Sequence, residues 1–424
     1  MNLPLLAALT PAGHRVTIVD EAFAPDRDDD DVDMVGITVM TDLARRAYSL
    51  GDRYRRRGVK VVMGGIHPSV LPGESLNHAD SVVVGEAEEV WPRLVSDAAS
   101  GRMERLYRAD KMTDLNGMPQ PRRDLCPRRA YKSYTPFAFG IETSRGCPYD
   151  CEFCSISHVM GHQYRLRPIP EVIAEIESID SAHLFFVDDT LGLNRAAAKK
   201  LFREMIPLRR LWAGEGTVSL AEDLELLRLM KRSGCMGLLI GFESVRKQTQ
   251  RGMKKMRNLK IDFSQAVRRF HGEGIGVLGT FIFGLDGESK DVFDQTLEFS
   301  MRHRLDAVTL RILVPYPGTR LYTRLLKEGR LVAPDWWLRG YSSDTLLFQP
   351  RGMTGDELVE GFARLNRQIY SFGAITRRFF GMAPWKRRAI GCRLYSGFNL
   401  GNRKRYFRSL GELQAFAPDS INKE

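Results

Sequence analysis

The 424-residue chain is poor in cysteine and histidine, with 6 and 8 of them. Cys126, Cys235 and Cys392 stand singly, a scatter that excludes a disulfide framework and suits a reducing compartment. No apolar run approaches the roughly 20 residues of a membrane span. The longest, IGVLGTFIFGL at 275–285, is broken by glycine and reads as a buried strand. Nothing at the N-terminus has the order of a signal peptide, so the expected location is the cytoplasm. Acidic residues are missing from 361–410, which carries twelve Lys/Arg, more than the whole net charge of +11. Such a segment favours an anionic neighbour. The readings are a solvated helix face, a membrane surface met through ITRRFFGMAPWKRR and its aromatics, and, least favoured, nucleic acid.

What is present reads as α/β. Residues 1–101 have β-branched runs at Val16–Asp20, Val35–Met40, Val59–Gly65 and Val82–Glu86, with helix-compatible segments between them. This predicts a small, doubly wound, Rossmann-like parallel sheet. Ligands of such sheets sit at the carboxyl ends of the strands, where Thr38, Gly64, Gly65, His67, Gly85 and Glu86 fall. Residues 102–139 are irregular and rich in Pro and Arg, as a linker would be. From 140 to 329 strands alternate with helices, at FAFGIETS, LFFVDD, GEGTVSL, GLLIGFES, GVLGTFIFG and AVTLRILVP, which predicts a partial (β/α)6 TIM-type barrel. Residues 330–424 read as a basic, mainly helical segment.

The other three cysteines, Cys147, Cys151 and Cys154, lie in TSRGCPYDCEFC with the spacing C-x3-C-x2-C. A structural zinc site wants four closed ligands, and no second knuckle exists, although His158 would offer a fourth. A nucleophile would need one thiolate. A four-iron cluster fits better, since one thiolate ligates each iron, and three ligands leave one iron open.

With Phe153 directly before the last cysteine, and the loop following the first strand of a βα barrel, the sequence resembles the radical S-adenosylmethionine superfamily. The resemblance implies a 4Fe-4S cluster whose open iron is chelated by the amino and carboxylate groups of S-adenosylmethionine. Reduction then yields methionine and a deoxyadenosyl radical, the electron coming from an external donor of the flavodoxin or ferredoxin type. It also implies roles by position. Asp188 and Asp189 in FFVDDTLGLN fall where the family holds the substrate's ammonium group, and Glu243 and Ser244 in GFES where it contacts the ribose and amino-acid moieties. Lys255 and Asn258 meet the methionine carboxylate, Ile282 and Gly284 in GTFIFGLDGES allow close approach of adenine, and Glu288 opens the next helix. Pro317, Gly318 and Thr319 form a tight turn into a helix. No catalytic side chain beyond the cluster is implied.

The order of the domains resembles the cobalamin-binding subclass, with GITVMT and VMGGIHPS as strand-end loops and VVVGEAEEVW closing the site. Against that pattern the chain begins within what reads as the first helix, so the first strand is expected to be missing. The D-x-H-x-x-G loop that supplies an axial histidine elsewhere does not occur, and His67 is the nearest candidate. The implied reaction is cobalamin-dependent methylation of an unactivated carbon, on a small-molecule or lipid-like substrate. Cobalamin-independent radical chemistry and a basic RNA-binding protein with a structural cluster are the alternatives.

Overall fold

Short β-branched runs that end in turn residues build the first sheet of the computed structural model, which describes residues 2–23, 31–126, 139–252, 260–340, 345–380 and 389–413. Its strands are β1 (Met34–Thr38), β2 (Lys60–Gly64), β3 (Ser81–Val84) and β4 (Leu106–Arg108), all parallel and in sequence order. β3 is buried along its whole length, as strands covered on both faces are. Val62, Val83, Trp91, Leu94, Val95 and Tyr107 form the core here, and Leu6 and Leu9 of the helix Asn2–Leu9 pack against it.

Two expectations fail in this sheet. Residues Val16–Asp20 carry no strand, and their side chains are half-buried or exposed. β-branched residues favour a strand only where a pleated surface is covered, and here nothing covers them enough. In contrast, β4 lies inside the segment expected to be linker. Its central Tyr107 is fully buried, and the hydroxyl donates to Asp97 at 2.8 Å. One buried aromatic in three residues was too short a signal to read.

The chain divides into two compact units, Met1–Leu191 with Val314–Ser342, and Gly192–Leu313 with Ser343–Glu424. Besides the first sheet, the first unit holds the parallel pair β5 (Gly140–Ile141) and β8 (His183–Phe186), and an antiparallel hairpin of β6 (Ser144–Arg145) and β7 (Arg165–Leu166). The expected turn at Pro317–Thr319 forms: Gly318 has φ +80°, and the Thr319 hydroxyl oxygen accepts from the Tyr322 N–H at 3.1 Å, capping the helix Arg320–Lys327.

The second unit contains β9 (Leu211–Gly216), β10 (Cys235–Glu243), β11 (Gly276–Phe283) and β12 (Ala307–Ile312), parallel neighbours in that order. Each is separated from the next by helix, as in βα barrels. Leu238, Ile240 and Phe242 of β10, with Val277, Phe281 and Phe283 of β11, are buried; Phe242 stacks on Phe281 at 5.6 Å. β9 starts three residues before the expected GEGTVSL and keeps only the first three residues of that run, Gly214–Gly216, because Val218–Glu222 coils into a 3-10 turn that buries Val218 and Leu220. The C-terminal segment is helical at Gly355–Ile369, Phe372–Phe380 and Ala389–Leu413, the first opened by a capping box of Thr354 and Glu357. Among the described residues no helix is long and apolar enough to cross a membrane.

Candidate cofactor centres at the strand ends

The cysteine loop leaves β6 through Gly146. Its φ is +86°, and a Cβ there would stand 2.3 Å from the Gln163 carbonyl oxygen, so only glycine serves. Cys147, Cys151, Cys154 and Phe153 are all half-buried. The Cys147 N–H donates to the Gly161 carbonyl at 3.4 Å, and the Cys154 N–H closes a turn on the Cys151 carbonyl at 3.1 Å. The helix after the Pro317–Thr319 turn pins this loop: Arg320 pairs with Asp150, Arg324 Nε donates to Glu152 at 2.5 Å, and the Leu321 N–H donates to the Glu152 carbonyl at 3.1 Å. Thr190, buried, donates its hydroxyl to Cys147 Sγ at 3.3 Å. Three thiols spread along one pinned loop fit three corners of a cubane, which takes one thiolate per iron. Among the described residues no three His, Cys, Asp or Glu form a group that could hold a single metal ion, and the side chain of His158 lies outside those described.

The paired aspartates have different surroundings. Asp188 is 1% exposed and accepts from the Thr143 N–H at 3.1 Å, the Thr143 hydroxyl at 2.6 Å and the Ser144 hydroxyl at 2.5 Å. Burial pushes it up to about 7 against these bonds. It is committed to the end of the first barrel strand. Asp189 remains half-buried, and burial raises it too, opposed by the Gly146 N–H.

A buried ion network sits beside the loop. Arg165 grips Glu86 with both terminal nitrogens at 2.7 Å, and Arg145 reaches Glu86 at 3.2 Å, Glu88 at 2.7 Å and Glu142 at 2.8 Å. The Thr113 N–H completes the set at 2.8 Å. Burial pushes the Glu86 carboxyl up, but the two guanidiniums and this N–H outweigh it and hold it below the usual carboxylate range. Neither arginine was singled out in the sequence, where no local pattern joins them to Glu86.

At the carboxyl edge of the first sheet, Thr38 is exposed at the end of β1, Gly64 and Gly65 end β2, and Gly85 follows β3. Gly65, at φ +101°, closes on Val39 and Thr38, leaving about 3.0 Å for a Cβ; Gly85, at φ +82°, opens onto free space. Met40 and Leu43 are 55% and 53% exposed beside this edge. The open space at Gly85 and the uncovered apolar side chains of Met40 and Leu43 are what a flat, partly apolar cofactor needs, so this edge fits cobalamin. His67 is not presented there. It is fully buried, with Nε2 at 2.8 Å from the Tyr48 hydroxyl and 3.2 Å from Glu74, and Trp337 donates to the same carboxylate at 3.0 Å. Burial pushes Glu74 up, and the bonds from His67, Tyr48 and Trp337 outweigh it and hold it low.

In the second unit, Glu243 ends β10 with φ +61°, next to a register shift against β11 between Gly241 and Glu243. A left-handed non-glycine residue beside a bulge aims a side chain at some energetic cost. Glu243 and Ile282 are half-buried, in phase with Leu239 and Thr280, alternating with the buried positions. Ser244 is buried and donates to Glu288 at 2.8 Å. Glu288 does not open a helix: it accepts from the N–H groups of Gly284 and Leu285 at 3.0 and 3.2 Å. The room at Gly284 is taken by Phe348 and Leu358, at 2.7 and 2.9 Å from an added Cβ. Lys255 and Asn258 lie outside the described residues.

Burial pushes Glu288 up to about 7 from 4.5, against its hydrogen bonds. The folded chain then holds a proton that the unfolded chain releases, so this contribution to stability is full below 4.5 and is lost as pH rises through about 7. Glu288→Gln removes the ionisation. The fall in urea midpoint between about pH 5 and about pH 8 should be smaller in the variant than in the parent, and parallel curves would contradict the assignment.

Comparison with known proteins agrees with this layout. A B12 binding domain model matches residues 2–95, a radical SAM superfamily model residues 141–300, and a domain of unknown function, DUF4070, residues 319–389. The chain is 30% identical over 389 residues to the bacteriochlorophyllide d C-12(1)-methyltransferase of Chlorobaculum tepidum, covering 90% of this chain and 84% of that protein. It is 29% identical over 358 residues to the C-8(2)-methyltransferase of the same organism, covering 79% and 78%. In fold it is similar to the radical S-adenosylmethionine methyltransferase TsrM of Kitasatospora setae, solved with cobalamin and a [4Fe-4S] cluster, with a TM-score of 0.66 at 18% identity over 97% of this chain and 96% of that one. The chain belongs to the radical S-adenosylmethionine superfamily, in its family of cobalamin-dependent methyltransferases.

Proposed function

We propose that the chain methylates an unactivated carbon of a large, mostly apolar small molecule. One observation carries this reading: a single unit contains both the open carboxyl edge of the first sheet and the three-cysteine loop, joined through the buried Glu86 network. Cys147, Cys151 and Cys154 would hold the 4Fe-4S cluster, and Thr38, Gly64, Gly65 and Gly85 would line cobalamin. When bound, the cluster supplies the electron that cleaves S-adenosylmethionine, and cobalamin carries the methyl group.

The chain's own residues orient and tune. Thr190 donates to Cys147 Sγ, which stabilises negative charge on that sulfur. Asp189 and Glu243 keep half-buried carboxylates at strand ends, and we assign them to S-adenosylmethionine. Asp188 and Ser244 act indirectly, since each is bonded to the end of the neighbouring strand, Asp188 to Thr143 and Ser144 and Ser244 to Glu288. Ile282 shares the half-buried side of β11 and is assigned to adenine. An external flavodoxin- or ferredoxin-type donor supplies the electron, because the sequence has one cluster motif only.

For the substrate, the named relatives act on bacteriochlorophyllide d, and a ring system of comparable size and apolarity is our reading here. The helix Phe372–Phe380 supports it: Phe372 and Phe380 are 63% and 80% exposed beside exposed Arg377, within the segment that has no acidic residue. Aromatics interleaved with arginine suit an anionic membrane surface where such a substrate would partition. The full chain should cosediment with phosphatidylglycerol vesicles, and Phe380→Ser or about 1 M salt should release it. Equal recovery in the supernatant with and without vesicles would refute the contact.

The catalytic assignments are tested by variants reconstituted without oxygen. Cys151→Ala should lose the cluster and all deoxyadenosine formation. Asp189→Ala and Glu243→Ala should keep their iron and bind S-adenosylmethionine about 10-fold or more weakly, the scale of one charge-assisted hydrogen bond. Unchanged dissociation constants in both would overturn their roles.

A further inference from the structure

The VVVGEAEEVW loop was expected to close the cobalamin site, but its first carboxylate turns to the cysteine hairpin. The Glu86 side chain is 2% exposed, and those of Arg145 and Arg165 are 6% and 10% exposed. These two arginines are directly paired across β6 and β7, so a single carboxylate holds both strands of the hairpin at once. One residue past Arg145 is Gly146, and the next is Cys147.

The same loop is tied to the sheet edge. The Gly85 N–H donates to the Ser69 hydroxyl oxygen at 2.9 Å, and that hydroxyl donates to the Gly65 carbonyl at 2.7 Å. Gly65 in turn closes on Thr38 and Val39. A continuous path of hydrogen bonds and one peptide link therefore runs from the Gly65 carbonyl at the sheet edge, through Ser69, Gly85 and Glu86, to the hairpin that carries the first cysteine.

We propose that Glu86 is a positioning residue that fixes the separation of the cobalamin and iron–sulfur sites while touching neither group. The inference rests on the function proposed above, since it needs both groups bound. Its chemical sense is that misplacing reacting centres by about 1 Å costs about 100-fold in rate. A two-pronged guanidinium–carboxylate grip is directional, and a network already buried has little freedom to drift. Glu88 and Glu142 compensate the remaining charge of Arg145, whereas Glu86 is the carboxylate that grips both arginines.

The test uses the full-length protein loaded with cluster and cobalamin, with iron and cobalt counted in every sample. With both centres reduced to their paramagnetic one-electron states, their magnetic interaction reports the separation by electron paramagnetic resonance. The parent should give a single narrow separation. Glu86→Gln should keep both groups but broaden the distribution at least about twofold, because supporting bonds of this kind hold a site to within about 0.5 Å. If Glu86→Gln does not retain its cofactors, Arg165→Lys decides, since it keeps the charge pairing and removes the two-pronged grip. A parent-like separation in the loaded variant overturns the proposal. A parent that takes up iron but no cobalt defeats the function on which it rests, a failure distinct from an unchanged separation.

Discussion

The arrangement of this protein depends on a buried carboxylate between two arginines. Glu86 leaves the end of β3, and Arg165 and Arg145 leave the two strands of the hairpin that leads into the cysteine loop. Burying three charges is expensive, and the cost is offset by the further partners of the network: Thr113 N–H on Glu86, the Thr113 and Met160 carbonyls on Arg165, and Glu88 and Glu142 on Arg145, with Arg165 Nε alone among the polar atoms of the three side chains buried without a hydrogen-bond partner. Removing one partner from such a network typically costs about 3–5 kcal/mol, so the arrangement is not one the chain can readily leave. Hydrophobic packing would have stabilised the junction as well. A directional grip does something packing does not, because it specifies which hairpin residue meets which strand end.

The same economy appears at the other strand ends. Polar side chains that looked available for a ligand are divided into those that face outward and those that hold the backbone. Asp188 is spent on Thr143 and Ser144, and Glu288 on Ser244, Gly284 and Leu285, whereas Asp189 and Glu243 stay half-buried. The division is physical: a carboxylate that already accepts three hydrogen bonds in a dry site has little left for a substrate. Glu243 carries the one left-handed backbone conformation among these carboxylates, a cost placed where a side chain is to be aimed.

Much of this was legible in the sequence where the determining contacts are local. The cysteine spacing, the Pro317–Thr319 turn and the apolar runs of β10, β11 and β12 each declare themselves within about ten residues. The strand ends Thr38, Gly64, Gly65 and Gly85 followed from runs that stop at turn residues. What could not be read lies in long-range pairing. Arg145 and Arg165 stand 59 and 79 positions from Glu86, and Trp337 stands 263 from Glu74, so nothing nearby marks them as partners. His67 looked like a ligand because it follows a strand end, yet Tyr48 and Glu74 claim it from other elements. β4 was hidden by its length, and Val16–Asp20 was misread because propensity was taken for burial.

The central claim is that one chain holds an open-cornered cluster and cobalamin in a single unit. The most direct measurement is iron, sulfide and cobalt content of the full-length protein after anaerobic reconstitution with hydroxocobalamin and removal of unbound material. The account predicts about four irons, about four sulfides and about one cobalt per chain. Four irons with no retained cobalt would contradict it, and would leave the cysteine loop to serve a radical reaction in which no methyl group passes through a corrin.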